Sequence, residues 1–517
     1  MPVQKLRVRF LIPSGVFVLV FLLYLLTLAP SITWQHDGYD AGDLITAAYS
    51  LGIPHPTGYP TYMLVGHIFT RIPVGDIAYR MNLLSALCAA LAVTACYTIS
   101  TAAPGAAVHS SVAALSAGLW LAASRLFWSQ AIITEVYALN VLFFTAVVGL
   151  TLAALAQTLD GKGSIKRMRV LGVLAPLALV YGLSLGNHLI MLLCVPMLLY
   201  LGISVARRHV LQAADWLLLG GLFMLGLCVY AYLPLRAGKQ PLSNWGNPRT
   251  LQGFLWVVGG GIYRQFVFGL PLAYWPQRCL SWVHLLVQQF GPLGALLGLL
   301  GIGQEWRCSP RRTIILLMTA GLYSVYAILY NTTDSYVYLL PVYVIFSLWL
   351  ARGARFVIAA VTSTRRTRSA WPTALTCILL VALPLLTLAL NLPNTSLRHD
   401  RAAYDYGRQV LAQVPDRCII FSNSDPHSFT LWYFAQVVTG RTLVAIVDRD
   451  LLGYDWYIAN LRQAYPWLRF PSDLEKASVT VERLAEANRR TANIYWADVD
   501  EDTISQQHLQ LDGLLYR

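Results

Sequence analysis

Residues 11–60 read LIPSGVFVLVFLLYLLTLAPSITWQHDGYDAGDLITAAYSLGIPHPTGYP, an apolar run followed at once by an acidic, proline-rich loop. The first 20 residues of this stretch form a run that is long enough and apolar enough to cross a lipid bilayer as a helix. The loop after them holds Asp37, Asp40 and Asp43 together with His36 and His55. This order predicts a membrane-spanning helix followed by a loop that presents carboxylates and imidazoles at the bilayer surface.

The rest of the chain also has the composition of a membrane protein. Of its 517 residues, 56% are hydrophobic and only 12% are charged, and the mean hydropathy is +0.54. A soluble domain carries about 25% charged residues, so a disordered chain and a typical cytosolic enzyme are excluded. The eight cysteines include no C-x-x-C pair, which indicates neither a zinc site nor a disulfide framework.

Apolar runs of bilayer-crossing length recur throughout residues 1–391 and predict an α-helical integral membrane domain with about eleven spans. These spans are expected at 11–30, 81–101, 108–125, 131–157, 170–186, 189–205, 213–235, 283–303, 314–330, 337–351 and 371–391. The shorter apolar stretch 61–72 is expected to lie near the membrane interface.

Residues 392–517 carry more charge and are predicted to form a small α/β domain, for which about 125 residues suffice. Apolar periodicity predicts amphipathic helices at Arg401–Val414 and Thr480–Arg490. The short apolar runs Cys418–Phe421 and Leu443–Val447 are typical of buried strands.

The distribution of Lys and Arg predicts the orientation in the membrane. The N-terminus and alternate loops together hold 17 basic and three acidic residues, which accounts for the net charge of +13 and the pI near 9.4 without a nucleic-acid partner. Because basic loops remain in the cytoplasm, the N-terminus is predicted to be cytoplasmic. The segments that then lie outside are the first external loop, 31–80, the loop 236–282 and residues 392–517.

An uncleaved first span is favoured over a signal peptide, whose apolar region is usually only about 7–15 residues long.

The acidic loop suits general-base chemistry or the oxygen ligation of a divalent cation. Asp40 and Asp43 are three residues apart, so a helical turn would place both on one face. The loop equally fits a solvated segment in which Asp40 or Asp43 caps a helix. Composition alone leaves these interpretations open.

Further polar residues flank the spans on the predicted outer side. They are Arg80, Asn82, Glu135, Asn187 and His188. Polar groups at membrane depth are costly and often functional, although each alone also fits a capped or interfacially solvated side chain. Their shared side predicts that one external pocket gathers them.

The external loop 236–282 combines arginines, among them Arg236 and Arg264, with several Trp and Tyr residues. External arginines oppose the usual charge bias, and a guanidinium can bind phosphate through two donors. Aromatic rings stack on sugars or lie at headgroup level. The loop therefore suits a phosphate-bearing lipid substrate, or an interfacial re-entrant segment anchored by aromatics.

The motifs taken together resemble a known family. The D-x-G-[DE]-[LF] pattern at Asp40–Leu44, followed by H-P-x-G-Y-P at His55–Pro60, resembles the protein O-mannosyltransferase-like membrane family of the glycosyltransferase C superfamily. Similar polar landmarks of that family stand at Arg80–Asn82, Glu135–Tyr137, Asn187–His188, Arg236, Asn244–Pro248 and Asp334. Position 43 departs from the pattern, because the family usually has Glu there.

The resemblance implies an enzyme that transfers a sugar, with a mannose-like hexose favoured, from a polyprenyl-phosphate carrier on the outer face of the membrane. It implies inversion at the anomeric centre and Asp40 and Asp43 as the catalytic carboxylates, with Asp40 accepting the proton of the attacking hydroxyl. The acceptor (protein, lipid or polysaccharide) and the need for a divalent cation stay open. If a metal binds, Asp40 and Asp43 are its predicted ligands.

The same resemblance implies a set of substrate-binding residues. Arg80, Arg236 and Arg264 are candidates for stabilising the departing lipid phosphate. The complete predicted set is His55, Arg80, Asn82, Glu135, His188, Arg236 and Arg264.

Two other classes of protein compete with the enzyme. A transporter or flippase for a polar lipid or sugar would use similar polar residues, but the chain shows no internal repeat and its acidic cluster lies in a loop. A scaffold or receptor built around residues 392–517 would leave the acidic loop without a role.

Overall fold

The computed structural model describes residues 2–102, 108–159, 167–363, 370–471, 480–499, 504 and 509–517. Several basic residues used to predict the orientation lie outside the described residues, namely Lys162, Lys166, Arg365, Arg366 and Arg368.

The membrane part is a bundle of long apolar helices. In the described ranges, ten helices are long and apolar enough to cross a membrane. The helices His109–Ala123 and Arg125–Ala131, bent by 69°, pass the same test together and count as an eleventh span if the pair crosses the membrane. The ten are Phe10–Thr27, Ile77–Thr101, Tyr137–Thr158, Arg167–Leu185, Leu189–Ala206, Ala213–Ala237, Leu272–Cys308, Pro310–Leu329, Ser335–Ser363 and Trp371–Thr395. The predicted count of about eleven is confirmed.

Close packing of small residues holds the central spans together. A Cβ added to Gly353 would lie 1.9 Å from the carbonyl oxygen of Leu297, and one added to Gly301 would lie 1.7 Å from that of Trp349. Helices in membranes associate largely through such close backbone contacts. The span Ser335–Ser363 is accordingly buried along most of its length.

Three short helical segments connect the spans on the predicted outer side. The 3₁₀ helix Gln35–Asp40 leads directly into the α-helix Ala41–Ser50, and a second α-helix, Pro60–Thr70, follows after the H-P-x-G-Y-P run. The helix Pro60–Thr70 coincides with the short apolar stretch expected at 61–72. The external loop 236–282 contributes the helix Leu251–Val258.

Within its described residues, the C-terminal domain contains a five-stranded sheet. Its strands are β1 (Cys418–Ser422), β2 (Val444–Asp448), β3 (Asn493–Trp496), β4 (Leu511–Asp512) and β5 (Leu515–Tyr516). They lie in the order β2-β1-β3-β5-β4, with β1 parallel to both β2 and β3.

The α-helices of this domain are Ala402–Gln413, Asp425–Trp432, Asp455–Ala464 and Val481–Asn488. Both helices and both strands predicted from the sequence are confirmed. β1 and β2 are buried along their full length, as their uninterrupted apolar runs require.

The C-terminal domain packs directly on the first external loop. The helices Ala41–Ser50 and Asp425–Trp432 approach so closely that a Cβ on Gly42 would lie 2.2 Å from the carbonyl oxygen of Phe429. Nearby, the indole N–H of Trp34 donates to the carbonyl oxygen of Pro426 at 3.1 Å. The acidic loop therefore lies between the membrane bundle and the C-terminal domain.

Candidate active site

A cavity of about 550 Å³ lies where the acidic loop, the adjoining ends of the spans and the C-terminal domain meet. Its polar lining includes Asp40, His55, His188, Arg264, Asp334 and Asp425. Four of these six belong to the predicted site residues, namely Asp40, His55, His188 and Arg264. All six come from segments that the distribution of basic residues predicts to be external.

Asp40 faces this cavity from the junction of two helices. It precedes the α-helix Ala41–Ser50, yet its side chain makes no capping hydrogen bond. The side chain is 38% exposed and lines the cavity. Desolvation in the cavity raises the pKa of Asp40; the positive charge of His55 opposes the effect, while the charge of Asp43 adds to it. The capping interpretation is thus wrong for Asp40.

Asp43 is completely buried and makes four hydrogen bonds. Its Oδ2 accepts from the backbone N–H of His55 at 2.8 Å and lies 2.9 Å from the Nδ1 of the same residue. Its Oδ1 accepts from the Ser243 hydroxyl at 3.2 Å and from the Trp245 indole at 3.1 Å. Asp43 therefore holds the His55 ring and does not face the cavity, which also contradicts the solvated-loop interpretation.

His55 lies between the two carboxylates. Its Nδ1 contacts Asp43, and its Nε2 lies 3.6 Å from the Oδ2 of Asp40. Burial alone would lower the pKa of His55, but the charges of Asp40 and Asp43 outweigh this effect and raise the pKa to about 9. At neutral pH the ring is therefore an imidazolium that stabilises the ionised form of Asp40.

This arrangement does not fit the predicted metal ligands. The carboxylates of Asp40 and Asp43 lie on opposite nitrogens of His55, so they do not form one set of converging oxygen ligands. In the part of the chain that the structure describes, no group of three or more His, Cys, Asp or Glu side chains is arranged to hold a metal ion.

His188 forms another wall of the cavity as a neutral ring. Its Nδ1 accepts from the backbone N–H of Ile190 at 3.2 Å, which leaves Nε2 as the protonated nitrogen. Burial, followed by the charge of His55, lowers the pKa of His188 to about 4. The rings of Tyr59, Tyr137 and Tyr338 surround it, each with its centroid within 6.0 Å.

Glu135 and Asn82 lie behind the cavity and do not line it. Asn82 donates to the carbonyl oxygens of Ala29 and Ser31 at 3.0 and 2.9 Å and accepts from Thr134 at 2.6 Å. It thereby fixes the turn that carries Glu135. The structure therefore does not bring Asn82, a predicted substrate-binding residue, to the cavity.

Glu135 is buried, with 4% of its surface exposed. Burial, reinforced by the negative charges of Asp40 and Asp334, raises the pKa of Glu135 well above its ordinary value. The site therefore favours the protonated form of this side chain.

Two of the three predicted phosphate-binding arginines also lie away from the cavity. Arg80 donates to the carbonyl oxygens of Thr70, Val74 and Gly75 at 2.6 to 3.1 Å. Arg236 donates to those of Leu51 and Ser50 at 2.6 and 3.1 Å. Neither guanidinium lines the cavity and both are engaged by backbone carbonyls, so the structure does not bring these two predicted phosphate ligands to the site.

Arg264 is the predicted arginine that does line the cavity. Its Nε and Nη2 donate to the carbonyl oxygens of Gly259 and Leu255 at 3.1 and 3.2 Å. These two bonds fix the guanidinium at the cavity, and both N–H groups of Nη1 and the second N–H of Nη2 remain as donors.

The sequence analysis missed one carboxylate of the cavity. Asp425 comes from the C-terminal domain, in the helix that packs on the acidic loop. Burial and the nearby charge of Asp40 raise the pKa of Asp425 to about 7. A signal for it exists, because Asp425 follows the carboxyl end of the parallel strand β1, where α/β folds commonly place functional groups.

Comparison with known proteins gives the family. Residues 40–211 match the Protein O-mannosyl-transferase TMEM260 N-terminal domain, and residues 403–516 match TMEM260-associated domain 2. The chain belongs to the TMEM260 protein O-mannosyl-transferase family. This family membership confirms the resemblance carried by the acidic loop and the H-P-x-G-Y-P run.

Two full-length relatives carry the TMEM260 name. Protein O-mannosyl-transferase TMEM260 of Mus musculus is 27% identical over 500 residues, which cover 93% of this chain and 68% of the mouse protein. Protein O-mannosyl-transferase tmem260 of Dictyostelium discoideum is 20% identical over 508 residues, which cover 89% of this chain and 59% of that protein. The chain therefore spans only part of the length of either relative.

Solved structures show the fold of this TMEM260-family chain. ArnT from Cupriavidus metallidurans, bound to undecaprenyl phosphate, matches with a TM-score of 0.54 at 13% identity over 90% of this chain and 96% of ArnT. The apo oligosaccharyltransferase of Archaeoglobus fulgidus matches with a TM-score of 0.50 at 13% identity, over 86% of this chain and 66% of the oligosaccharyltransferase. The fold is that of the glycosyltransferase C enzymes. Together with the O-mannosyl-transferase relatives and the apolar spans, it makes the protein a multi-pass membrane glycosyltransferase. The transporter and scaffold interpretations are therefore set aside.

Proposed function

We propose that this protein transfers a hexose, mannose by analogy with the names of its relatives, from a polyprenyl phosphate to a hydroxyl group of a protein acceptor on the non-cytoplasmic face of the membrane. The observation that carries the proposal is the position of Asp40. It is a carboxylate exposed to an enclosed external cavity, with the imidazolium of His55 behind it.

Asp40 acts as the general base. A carboxylate with a raised pKa accepts a proton more readily at neutral pH than an ordinary one does. Asp40 takes the proton of the acceptor hydroxyl as its oxygen forms a bond to C1 of the sugar. The bond from C1 to the phosphate oxygen breaks on the opposite side, and its electron pair leaves with the polyprenyl phosphate. This single displacement inverts the anomeric centre.

Arg264 and His188 stabilise the leaving phosphate. Arg264 is fixed at the cavity rim by two carbonyl oxygens, so its remaining donors need little reorganisation to meet a phosphate. The neutral His188 ring offers its Nε2–H from the cavity wall. Of the three predicted arginines, Arg264 keeps this role in the proposal, and His188 joins it in place of Arg80 and Arg236.

The prenyl chain follows the apolar part of the cavity toward the lipid. Leu192 and Phe268 line the cavity and are 49% and 62% exposed, and Leu193 and Val267 lie next to them. Exposed apolar side chains beside a polar site suit a ligand with a charged head and a hydrocarbon tail. The membrane part, residues 1–391, would thus hold the donor.

The proposed orientation places the N-terminus in the cytoplasm and the C-terminal domain outside. Single-cysteine variants test it with a membrane-impermeant thiol reagent. A cysteine at the exposed position 455, introduced as D455C, should react in intact cells, and the exposed Cys308 should react only after permeabilisation. The reverse pattern would overturn the orientation.

The activity is tested with purified protein, a polyprenyl-phosphate mannose labelled in the sugar, and peptides that contain Ser and Thr. Asp40→Asn keeps the size of the side chain but cannot take up a proton, so transfer should fall by about 10²–10⁴. Asp455→Asn, an exposed position in the C-terminal domain, is the matched control and should behave like the parent.

Two results would overturn the proposal. One is near-normal transfer by a folded Asp40→Asn protein. The other is a parent enzyme that leaves all labelled sugar on its carrier in the presence of peptide, lipid and polysaccharide acceptors. Transfer to lipid or polysaccharide alone would retain the enzyme and replace the protein acceptor.

A further inference from the structure

A second cleft, of about 580 Å³, lies beside the active-site cavity between the first external loop and the C-terminal domain. It is lined by polar and aromatic side chains, among them Trp34, Arg125, Tyr336 and His427. Asp37 and Tyr39 line both the cleft and the active-site cavity. The two spaces therefore meet at the segment that leads into Asp40.

The start of one helix of the C-terminal domain separates the two spaces. Asp425 lines the active-site cavity, while Pro426 and His427, the next two residues, line the second cleft. Trp34 fixes this segment to the first external loop through its hydrogen bond to the carbonyl oxygen of Pro426. The C-terminal domain thus contributes one wall to each space.

His427 is held in one orientation. Its Nδ1 lies 3.1 Å from the Oδ2 of Asp498 and 2.8 Å from the hydroxyl of Ser424, which also donates to Asp498. Asp498 and Ser424 follow the carboxyl ends of the neighbouring parallel strands β3 and β1. Because Nδ1 donates to Asp498, Nε2 is an acceptor in the neutral ring.

This trio is not a nucleophilic triad. A triad needs the acid and the hydroxyl on different nitrogens of the imidazole, whereas here both partners share Nδ1. The arrangement instead presents a fixed imidazole edge to the cleft, with the ring of Trp34 packed against it at a centroid distance of 5.2 Å.

Arg125 faces the cleft from the membrane part. It begins the second half of the bent span, and its side chain is exposed. Within the described residues, the guanidinium of Arg125 makes no hydrogen bond or ion pair. Its donors are therefore available to carbonyl oxygens of a ligand.

We propose that the second cleft binds the acceptor as an extended polypeptide segment. A peptide backbone offers N–H donors and C=O acceptors in alternation, which match the acceptors at His427 and Asp37 and the donors of Arg125. Trp34, Tyr39 and Tyr336 provide aromatic surfaces for the flanking side chains. A Ser or Thr hydroxyl of the bound segment reaches Asp40 past the shared rim at Asp37 and Tyr39.

This proposal rests on the proposed function, and its test separates the two. The purified full-length protein is assayed with labelled polyprenyl-phosphate mannose and a Ser- and Thr-containing peptide. KM is measured for each substrate, and the slow release of free sugar to water is followed without peptide. His427→Ala and Arg125→Ala should each raise the peptide KM about tenfold or more, with the donor KM and the release to water unchanged.

Two further variants show that the effect is one of binding. Asp498→Asn frees the His427 ring and should raise the peptide KM, while a purely structural role would lower thermal stability and leave KM unchanged. His399→Ala is the matched control, because His399 is exposed in the same part of the chain and lines neither space. If His427→Ala folds poorly, His427→Gln is used in its place, and the binding of a fluorescent peptide is measured directly.

Unchanged peptide KM in the folded His427 and Arg125 variants would overturn the inference while leaving the proposed function intact. If these variants lowered transfer to lipid or polysaccharide acceptors and left transfer to peptides unchanged, the proposed polypeptide occupant would be overturned. Failure of the parent protein to use the labelled donor would instead count against the proposed function.

Discussion

The Oδ2 of Asp43 lies 2.9 Å from the Nδ1 of His55 and also accepts the backbone N–H of that residue at 2.8 Å. Asp43 is inaccessible to solvent, whereas the other edge of the ring points toward Asp40. The two carboxylates of the D-x-G-D motif therefore have different tasks. In the proposed mechanism Asp40 meets the substrate, and Asp43 fixes the ring of His55, whose charge stabilises the ionised form of Asp40.

This division predicts the behaviour of Asp43 variants. Asp43→Asn keeps the size of the side chain but removes the charge that helps to hold His55 protonated. We expect kcat to fall, the donor KM to stay nearly constant, and the alkaline limb of the pH profile to move to lower pH. Asp43→Glu should be milder, because it keeps the charge and the family usually has Glu there.

Kinetics over a range of pH with Asp43→Asn distinguish this role from a purely structural one. A lower kcat with an unmoved alkaline limb would contradict the positioning role. A protein that loses only thermal stability would assign Asp43 to the fold alone.

The pKa of His55 predicts how stability depends on pH. It is raised from 6.5 to about 9 in the folded protein, so the folded state binds a proton more tightly than the unfolded state does. The stabilisation is complete below about pH 6.5 and is lost as the pH rises through 9. Thermal unfolding in detergent at pH 6 to 10 should show this decline, and His55→Gln should flatten it. Parallel curves for the parent and His55→Gln would contradict the predicted linkage.

Apolar length and periodicity are strong sequence signals, and they predicted the spans, β1, β2 and both amphipathic helices. The acidic loop was predicted because carboxylates beside a span are costly and therefore stand out. The roles of the arginines were not predictable in this way. Arg80 and Arg236 look like phosphate ligands in the sequence, but in the fold backbone carbonyls engage both of them, nearby ones for Arg80 and distant ones for Arg236.

Asp425 and His427 were missed for a different reason. They lie about 385 residues after Asp40 in the chain, and only the packing of two helices brings them to the same site. Gly42 makes that packing possible, yet a single glycine in an acidic loop carries no signal of the helix it will face.

The contrast between the arginines gives a matched pair of variants. Arg264→Ala should raise the KM for the polyprenyl-phosphate donor, and Arg264→Lys should recover only part of it, because a lysine lacks the forked donors. Arg236→Ala should lower thermal stability through the loss of its bonds to Leu51 and Ser50, with the donor KM of the folded fraction unchanged. A raised donor KM in Arg236→Ala but not in Arg264→Ala would reverse these assignments.

The contact at Gly42 predicts that the acidic loop and the C-terminal domain function as one unit. In Gly42→Ala the new Cβ would lie 2.2 Å from the carbonyl oxygen of Phe429, so the two helices must separate. Overpacking of this kind costs about 1–3 kcal/mol, and the separation moves Asp40 away from Asp425. We therefore expect both a lower unfolding temperature and reduced transfer.

Gly220→Ala is the control, since a Cβ there meets no atom within 4 Å and alanine favours a helix by about 1 kcal/mol relative to glycine. Parent-like stability and transfer in Gly42→Ala would mean that the domain can shift without disturbing the site.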